Sequence, residues 1–228
     1  MWDGSIADLD LQAIAPITSH VEMDETMANV LSKLRRSSQY PPLFKKAFGK
    51  DDISTNDFLK ALSQFMLMCV SSNSKYDSVM RKEPGKTFTA DEQKGYEVYK
   101  QKCSACHTEP LFTDNSFRNN GISISNVNDE GRYLVTQNEA DKYRFKVPGL
   151  RNLAYTAPYM HDGRFFTLDA VLDHYTTQVQ RTPNLDPLLD HNGTPGIAID
   201  TNEPKKLLAF LSTLNDPSFI HDRRFSEQ

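Results

Sequence analysis

The stretch CSACH, at positions 103–107, constrains this chain more than any other feature of its sequence. Two thiols separated by two residues and followed directly by an imidazole form the pattern that attaches c-type haem. One helical turn between the thiols lets them reach adjacent vinyl groups, and the next residue directs a ring nitrogen at the iron. We therefore predict that Cys103 and Cys106 hold haem c covalently and that His107 is its proximal ligand. The other ring nitrogen of His107 should donate to a carbonyl or carboxylate.

Two other sites use paired cysteines, and the sequence favours neither. A thioredoxin-like redox pair would need a βαβ context, and a structural zinc ion would need four ligands, usually from a second Cys or His pair. The remaining thiol, Cys69, lies in the apolar run 65–70 and is predicted to be a small buried side chain. Haem attachment is therefore the preferred interpretation of the motif.

The charge pattern excludes several kinds of partner. The 228 residues include 26 basic and 30 acidic side chains, interleaved along the chain, for a net charge of −4. No basic stripe suits nucleic acid, and no apolar run approaches the ~20 residues that a transmembrane segment needs. Partners are therefore expected to be small molecules or redox proteins.

The haem motif also bears on location. Haem c is normally attached outside the cytoplasmic membrane, yet the sequence begins without the charged and apolar regions of an export signal. We therefore expect it to be a piece of a longer protein that is exported to the periplasm.

Apolar spacing predicts three helices in the first 70 residues. The first begins near Asp24 and is stopped by Pro41-Pro42, and a short second helix covers 43–48 and ends at Gly49. The third follows a cap at Ser54, Thr55 or Asn56. Its methionine-rich face is predicted to be buried core and consists of Phe58, Leu59, Leu62, Phe65, Met66 and Cys69.

A polar, turn-rich stretch over residues 71–86 is predicted to separate two domains. The first domain would then cover residues 1–85 and the second residues 86–228. The length of the chain is compatible with one domain plus part of another.

The second domain is bounded by two predicted helices. Thr89 and Glu92 form a capping box for a helix that runs into the haem motif, and Pro204 introduces a leucine-rich helix near the C-terminus. Gly95 would let these two helices cross closely. Between them lie long loops and a helix capped by Thr167, whose apolar face holds Leu168, Val171, Leu172 and Tyr175. Strand signals are weak throughout, so the expected fold class is all-α.

Three motifs carry a family resemblance. The segments TEPLFTD (108–114), VPGLRN (147–152) and TAPYMHDG (156–163) resemble the bacterial di-haem cytochrome c peroxidase and MauG superfamily. The sequence WDG at 2–4, Gln12 and the stretch from Pro16 to Met23 resemble the end of that family's first haem domain, so the resemblance covers nearly the whole chain.

The resemblance implies a specific architecture. Residues 86–228 would be a second cytochrome-c-like haem domain with long loops. Residues 1–85 would be the helical C-terminal part of the first, peroxidatic haem domain, without its haem motif. The family has two haem motifs, and this sequence contains one, which corresponds to the electron-transferring haem.

The distal iron ligand has several candidates. By the resemblance it is Tyr175, a position at which peroxidases of the family have methionine and MauG-type members tyrosine. Met160 is the second choice, and His161 and His174 are further candidates. A buried tyrosine with an ordinary hydrogen bond is the alternative for Tyr175. A phenolic donor favours ferric iron and should lower the reduction potential.

The resemblance assigns further roles. Trp2 matches a tryptophan between the two haems, and Gln12 and Glu22 match polar residues over the peroxidatic haem, where a carboxylate can move protons. Backbone carbonyls of Thr156 and Pro158 match ligands of a calcium ion. Ordinary surface polarity, or an anchoring aromatic for Trp2, is the alternative.

The histidines outside the motif have simpler interpretations. His161 is as compatible with a hydrogen bond to a haem propionate as with chemistry. His20, His191 and His221 are predicted to lie on the surface.

The functional expectation is part of a di-haem cytochrome c peroxidase that reduces hydrogen peroxide with electrons from a small redox protein. A MauG-like oxidase of protein side chains and a mono-haem electron carrier are the alternatives. The piece alone should be nearly inactive, because the peroxide-binding haem would lie outside it. The sequence leaves a homodimer open.

Overall fold

The computed structural model describes residues 1–191 and 193–226, and this part of the chain is mostly helical. The α-helices are α1 (Ile14–Thr18), α2 (Met27–Arg36), α3 (Tyr40–Phe48), α4 (Thr55–Met68), α5 (Lys75–Met80), α6 (Ala90–Lys102), α7 (Tyr133–Thr136), α8 (Leu168–Asp173), α9 (Glu203–Ser212) and α10 (Pro217–Ile220). Short 3₁₀ turns cover Glu139–Asp141, Leu153–Tyr155, Pro187–Leu189 and Arg223–Phe225, and a π-helical turn covers His174–Gln178.

The described residues also include four strands of two residues each. β1 (Phe117–Arg118) pairs antiparallel with β2 (Phe145–Lys146), and β3 (Asp190–His191) pairs antiparallel with β4 (Thr194–Pro195). The all-α expectation therefore holds for the larger elements, and the short pairings join loops.

The chain divides into two compact units, one covering residues 6–70 and the other combining residues 1–5 with the chain from Ser71 onward. The predicted boundary after residue 85 therefore lies inside the second unit. α5 lies in the stretch interpreted as a linker, because Ser74 and Asp77 form a capping box that starts a helix there. Tyr76, on this helix, belongs to the hydrophobic core of the second unit.

In the unit of residues 6–70, the predicted helices are present with one correction. α2 begins after Thr26, whose side chain accepts from the Asn29 backbone N–H, as the apolar spacing suggests. Pro41 and Pro42 lie in the first turn of α3 and do not stop a helix. Proline is tolerated there because the first backbone N–H groups of a helix lack intrahelical partners anyway.

The apolar face of α4 is less buried than predicted. Ser54 caps the helix through a capping box with Asp57, and Leu59 is 6% exposed. Phe65, however, is 47% exposed, and Cys69 is half-buried at the helix C-terminus. The prediction of a broad buried face, with Cys69 inside it, was therefore wrong for its C-terminal half.

The core of the second unit is built on the predicted crossing of α6 and α9. Thr89 and Glu92 form the capping box that starts α6. A Cβ atom on Gly95 would lie 1.9 Å from the Lys206 carbonyl oxygen, so only glycine permits this approach. The buried core consists of Tyr76, Val98, Tyr99, Phe112, Leu172, Leu207, Phe210, Leu211 and Leu214.

The long connection between α6 and α8 folds back on itself through short contacts. β1 pairs with β2, and Tyr159 forms an antiparallel bridge with Phe165. α8 begins after Thr167, whose side chain accepts from the Ala170 N–H, and continues as the π-helical turn at His174. This turn carries Tyr175. Among the described residues, none of the helices combines the length and apolarity that a membrane crossing needs.

Candidate haem site

The thiol pair lies where α6 ends. Cys103 is the C-terminal cap of the helix, and the N–H groups of Cys106 and His107 both return to its carbonyl, at 3.2 and 3.0 Å. Both cysteines are free and half-buried. Burial raises the pKa of Cys103 to about 12 and also raises the pKa of Cys106. Both groups are therefore neutral thiols at pH 7, held on one turn of the chain.

The His107 ring is oriented by two backbone carbonyls. Its Nδ1 atom lies 3.1 Å from the Phe112 oxygen and 3.0 Å from the Pro148 oxygen, so the Nδ1–H group donates to them. Burial lowers the pKa of His107 and outweighs the opposing effect of these hydrogen bonds. The imidazole is therefore neutral at pH 7, and its Nε2 lone pair is available to a metal.

Tyr175 is brought to the same part of the molecule. Its side chain is half-buried, its phenol is hydrogen-bonded to the side chain of Asn120, and the thiols of Cys103 and Cys106 are near enough to influence it electrostatically. Burial is the main cause that raises the pKa of Tyr175, and the two thiols add to it. The structure thus places the phenol within electrostatic range of the thiol pair. Tyr175 lies on a π-helical turn and not on a continuous α-helix.

Met160 approaches the same asparagine. Its sulfur lies 3.5 Å from the Asn120 Nδ2 atom. Its backbone has φ = 73°, in the left-handed region that residues other than glycine rarely occupy. The two leading candidates for a distal ligand, Met160 and Tyr175, therefore meet at one amide side chain.

The rings of the two histidine candidates already have partners in the protein. His174 is 2% exposed, and its Nε2 lies 3.0 Å from the Asn120 carbonyl oxygen, to which it donates. The His161 ring stacks on Phe145 with centroids 3.6 Å apart, and burial lowers the pKa of His161. His20, His191 and His221 are exposed, as predicted.

The residues predicted to serve a peroxidatic haem are divided between the two units. The Trp2 side chain is 42% exposed, and its carbonyl accepts the Lys146 N–H at 2.7 Å. Gln12 is half-buried and Glu22 is exposed, both in the unit of residues 6–70. Their roles stay predictions.

The calcium prediction rests on backbone oxygens. Thr156 and Pro158 are exposed, and the Thr156 hydroxyl donates to the Leu153 carbonyl at 3.4 Å. Within residues 1–191 and 193–226, no group of three or more His, Cys, Asp or Glu side chains could hold a metal ion. The proposed calcium ligands are backbone carbonyl oxygens and not side chains of these types, so the calcium site also stays a prediction.

Two residues of the site were missed from the sequence. The Tyr99 hydroxyl donates to the His107 carbonyl, and the position of Tyr99 four residues before Cys103 could have suggested this. Asn120 contacts Met160 and Tyr175 and accepts from His174. No motif or spacing distinguishes this asparagine from its neighbours in the loop.

The donor set fits haem c. The neutral thiols of Cys103 and Cys106 lie four residues and one residue before the imidazole of His107, which is held by backbone carbonyls. The phenol of Tyr175 and the thioether of Met160 come from the segment 160–175. The fold and the site therefore define a class, that of mostly helical proteins with a c-type haem attachment site.

Comparison with known proteins gives the family. A family model described as di-haem cytochrome c peroxidase matches residues 1–85. The chain is 34% identical over 223 residues to the methylamine utilization protein MauG of Methylorubrum extorquens. The aligned region covers 96% of this chain and 62% of that protein. The chain is also 33% identical over 225 residues to a cytochrome c551 peroxidase of Nitrosomonas europaea, with the same coverage of 96% and 62%. The chain belongs to the di-haem cytochrome c peroxidase and MauG superfamily.

Solved structures agree with this assignment. A MauG-like protein associated with microbial copper homeostasis is similar with a TM-score of 0.84 and 28% identity, over 99% of this chain and 75% of that one. The di-haem peroxidase BthA of Burkholderia thailandensis has a TM-score of 0.78 at 22% identity, over 96% and 66%, and shows a shared fold. The chain spans about three-fifths of the length of the two curated relatives above.

Proposed function

We propose that this chain is part of a di-haem cytochrome c peroxidase that reduces hydrogen peroxide, and that its second unit carries the electron-transfer haem. One observation carries the proposal most directly. The CSACH turn presents a neutral His107 whose Nδ1 is held by two carbonyls, and Tyr175 lies close enough to the same thiols for them to influence it electrostatically. Protein ligands on both sides of an iron leave no open position for peroxide, which suits electron transfer.

Each haem-site residue of the second unit would then have a distinct role. Cys103 and Cys106 would hold the haem through thioether bonds, and His107 would ligate the iron through Nε2. The Tyr99 hydroxyl, by donating to the His107 carbonyl, would hold the backbone of the proximal ligand in place. Tyr175 would be the distal ligand. Bound at this site, the haem would supply one-electron transfer between a donor protein and the centre that reduces peroxide.

The remaining assignments follow the family. Residues 1–85 would belong to the first, peroxidatic haem domain, and residues 86–228 would form the second cytochrome-c-like domain. Trp2 would lie between the haems, and Gln12 and Glu22 would move protons during peroxide cleavage. Carbonyls of Thr156 and Pro158 would help to hold calcium. We propose a periplasmic location and a small redox protein as the electron donor.

A second function is favoured by one residue. Tyr175 is the residue type that the resemblance associates with MauG-type members, and a MauG protein is among the relatives at 34% identity. The alternative is therefore oxidation of protein side chains. A mono-haem electron carrier is the third possibility, and the family assignment weighs against it.

The attachment step is tested by producing the chain in a periplasm that has the haem c attachment machinery. We expect one covalent haem per chain, measured from the spectrum of its pyridine complex after acid-acetone extraction. Either single variant, Cys103→Ala or Cys106→Ala, should abolish stable covalent attachment of the haem. Haem that remains fully covalent in the double variant Cys103→Ala/Cys106→Ala would contradict the site.

The function is tested with a longer version that includes a second haem motif. With a reduced donor protein, we expect this version to turn over peroxide, whereas the haem-loaded 228-residue chain should show little turnover. Equal turnover by the two would refute the electron-transfer role. Consumption of peroxide with oxidation of a protein substrate, and none with a reduced donor, would favour the MauG-like alternative.

A further inference from the structure

We propose that Asn120 is a positioning residue that keeps the Met160 thioether away from the haem iron and so leaves the distal position to Tyr175. The inference rests on the proposed haem site at Cys103, Cys106 and His107. It goes beyond it by assigning the choice between two ligands to a third side chain.

The geometry begins with the amide group itself. The Asn120 Nδ2 atom lies 3.5 Å from the Met160 sulfur, and the Asn120 side chain is also hydrogen-bonded to the Tyr175 phenol. An asparagine amide has two N–H donors, so it can serve a sulfur and a phenolic oxygen together. Met160 and Tyr175, the two candidate ligands, are thus both hydrogen-bonded to the Asn120 amide.

Asn120 is itself held firmly. Its carbonyl accepts from the Nε2 atom of the buried His174 at 3.0 Å. The preceding Asn119 is buried, donates to the Pro183 carbonyl at 2.7 Å and accepts the Gly121 N–H at 2.9 Å. The backbone at Asn120 is therefore held on both sides, so its side-chain amide extends from a fixed point of the chain.

Met160 is presented by a constrained loop. Its φ of 73° is maintained between Tyr159 and Phe165, whose backbones bond reciprocally at 2.7 and 3.5 Å. Backbone conformations of this kind in residues other than glycine cost energy and concentrate at functional sites. The Met160 sulfur thus contacts the same amide that is hydrogen-bonded to Tyr175, which brings the thioether near the proposed distal ligand.

The balance between the two ligands is expected to be close. A thioether is a weak hydrogen-bond acceptor, so the restraint on Met160 is modest. Without the amide, the flexible methionine side chain could reach an iron that accepts thioether ligands. Exchange of the phenolic iron ligand for a thioether should raise the reduction potential of the haem. It should also give the ferric haem the charge-transfer band of methionine ligation.

The experiment compares haem-loaded variants of the chain. Asn120→Leu keeps the branched shape of the side chain and removes both donors, and Asn120→Ala serves if the leucine variant does not load haem. We expect a higher reduction potential and a new thioether charge-transfer band in the ferric spectrum. Met160→Leu in the wild-type background should change neither, and in the Asn120→Leu background it should remove both effects.

Variants of Tyr175 and Asn120 distinguish failure of the Tyr175 ligand assignment from failure of the role proposed for Asn120. If Tyr175→Phe leaves the ferric spectrum and the potential unchanged, Tyr175 is not the distal ligand and both proposals fail. If Tyr175→Phe changes them but Asn120 variants gain no thioether band, only the role of Asn120 is wrong. A band that persists in Asn120→Leu/Met160→Leu would also overturn it.

Discussion

At the scale of single residues, the candidate haem site depends on neutral groups held by backbone atoms. His107 is oriented by the Phe112 and Pro148 carbonyls, and Tyr99 donates to the His107 carbonyl in turn. Next to them, Glu109 accepts from two tyrosines, at 2.8 Å from Tyr76 and 3.3 Å from Tyr96. This carboxylate ties the segment directly after the haem motif to the core of the second unit.

Removal of the Tyr76 hydroxyl should weaken that connection. Tyr76 is buried and its bond to Glu109 is short, so Tyr76→Phe should lower the free energy of unfolding by about 1.5–3 kcal/mol, as for other hydrogen bonds to charged groups. Urea unfolding of the haem-loaded chain measures the loss. Tyr96→Phe is the matched control, because its bond is longer and its ring is half-buried, and it should cost less than about 1 kcal/mol. Equal losses in the two variants would contradict the assignment.

At the scale of elements, two contacts place the helices around the site. Gly95 lets α6 cross α9, and α6 delivers Cys103 at its C-terminal end. α5 is joined to the loop after the haem motif through Asp77, which caps the helix and forms a two-pronged ion pair with Arg151, both bonds being 2.9 Å. Arg151 also donates to the Pro110 carbonyl.

The crossing predicts an unusual response at Gly95. Alanine normally stabilises a helix interior relative to glycine by about 1 kcal/mol. Here the added methyl group would meet the Lys206 carbonyl at 1.9 Å, so Gly95→Ala should destabilise the chain by roughly 1–3 kcal/mol. Gln93→Ala, on the exposed side of α6, should change the midpoint of urea unfolding little. A stabilised Gly95→Ala variant would show that the two helices can separate at no cost.

The Asp77 pair predicts a pH dependence. Burial raises the pKa of Asp77, but the hydrogen bonds from Arg151 and Ser74 outweigh it and hold the pKa below its usual value. A lowered folded-state pKa adds stability that is present above the unfolded value of about 3.9 and is lost as the pH falls through the folded value. Asp77→Asn should therefore cost about 1–3 kcal/mol at pH 7, and less below pH ~4.

Urea unfolding at pH 7, 5, 4 and 3 measures this difference. The exposed Asp91, in the first turn of α6, gives the control variant Asp91→Asn. Its effect should be small at pH 7. A constant difference between the wild type and Asp77→Asn across the whole series would refute the linkage.

At the scale of the whole molecule, the second unit has little regular structure between its haem motif and α8. In the described part of residues 108–166, the α-helix is the four-residue α7, and β1 and β2 have two residues each. Loops of this length are uncommon in compact domains unless another group supplies packing. A porphyrin held at Cys103 and Cys106 would supply it.

Loss of haem should therefore expose this region first. We expect brief proteolysis of the haem-free chain to cut within residues 108–158, while the haem-loaded chain resists under the same conditions. Mass spectrometry of the fragments locates the cuts, and cleavage within residues 90–102, on α6, serves as the internal reference. Comparable resistance of residues 108–158 in both forms would mean that the loops pack without haem.

The sequence by itself determined the features whose signals lie within a few residues. The CSACH motif, the capping residues Thr89 and Thr167, and the glycine that permits the α6–α9 crossing could all be predicted. For α4 the sequence narrowed the cap to Ser54, Thr55 or Asn56, and the structure has Ser54. Each depends on one turn of backbone or on a regular apolar spacing, and both are visible in the order of residues. Pro41 and Pro42 misled because proline suits a helix start as well as a stop.

Only the tertiary structure decided how distant loops meet. Asn120 joins Met160 and Tyr175, and Asp77 pairs with Arg151, across 40 to 74 residues of chain. No periodic pattern in the sequence announces these contacts. The path of a loop is set by particular side-chain contacts, whereas a helix or strand has a regular repeat of backbone hydrogen bonds. The residues that could ligate haem were therefore predictable from the sequence. The role proposed for Asn120, which concerns Met160 and Tyr175, could be inferred only from the contacts between loops in the folded chain.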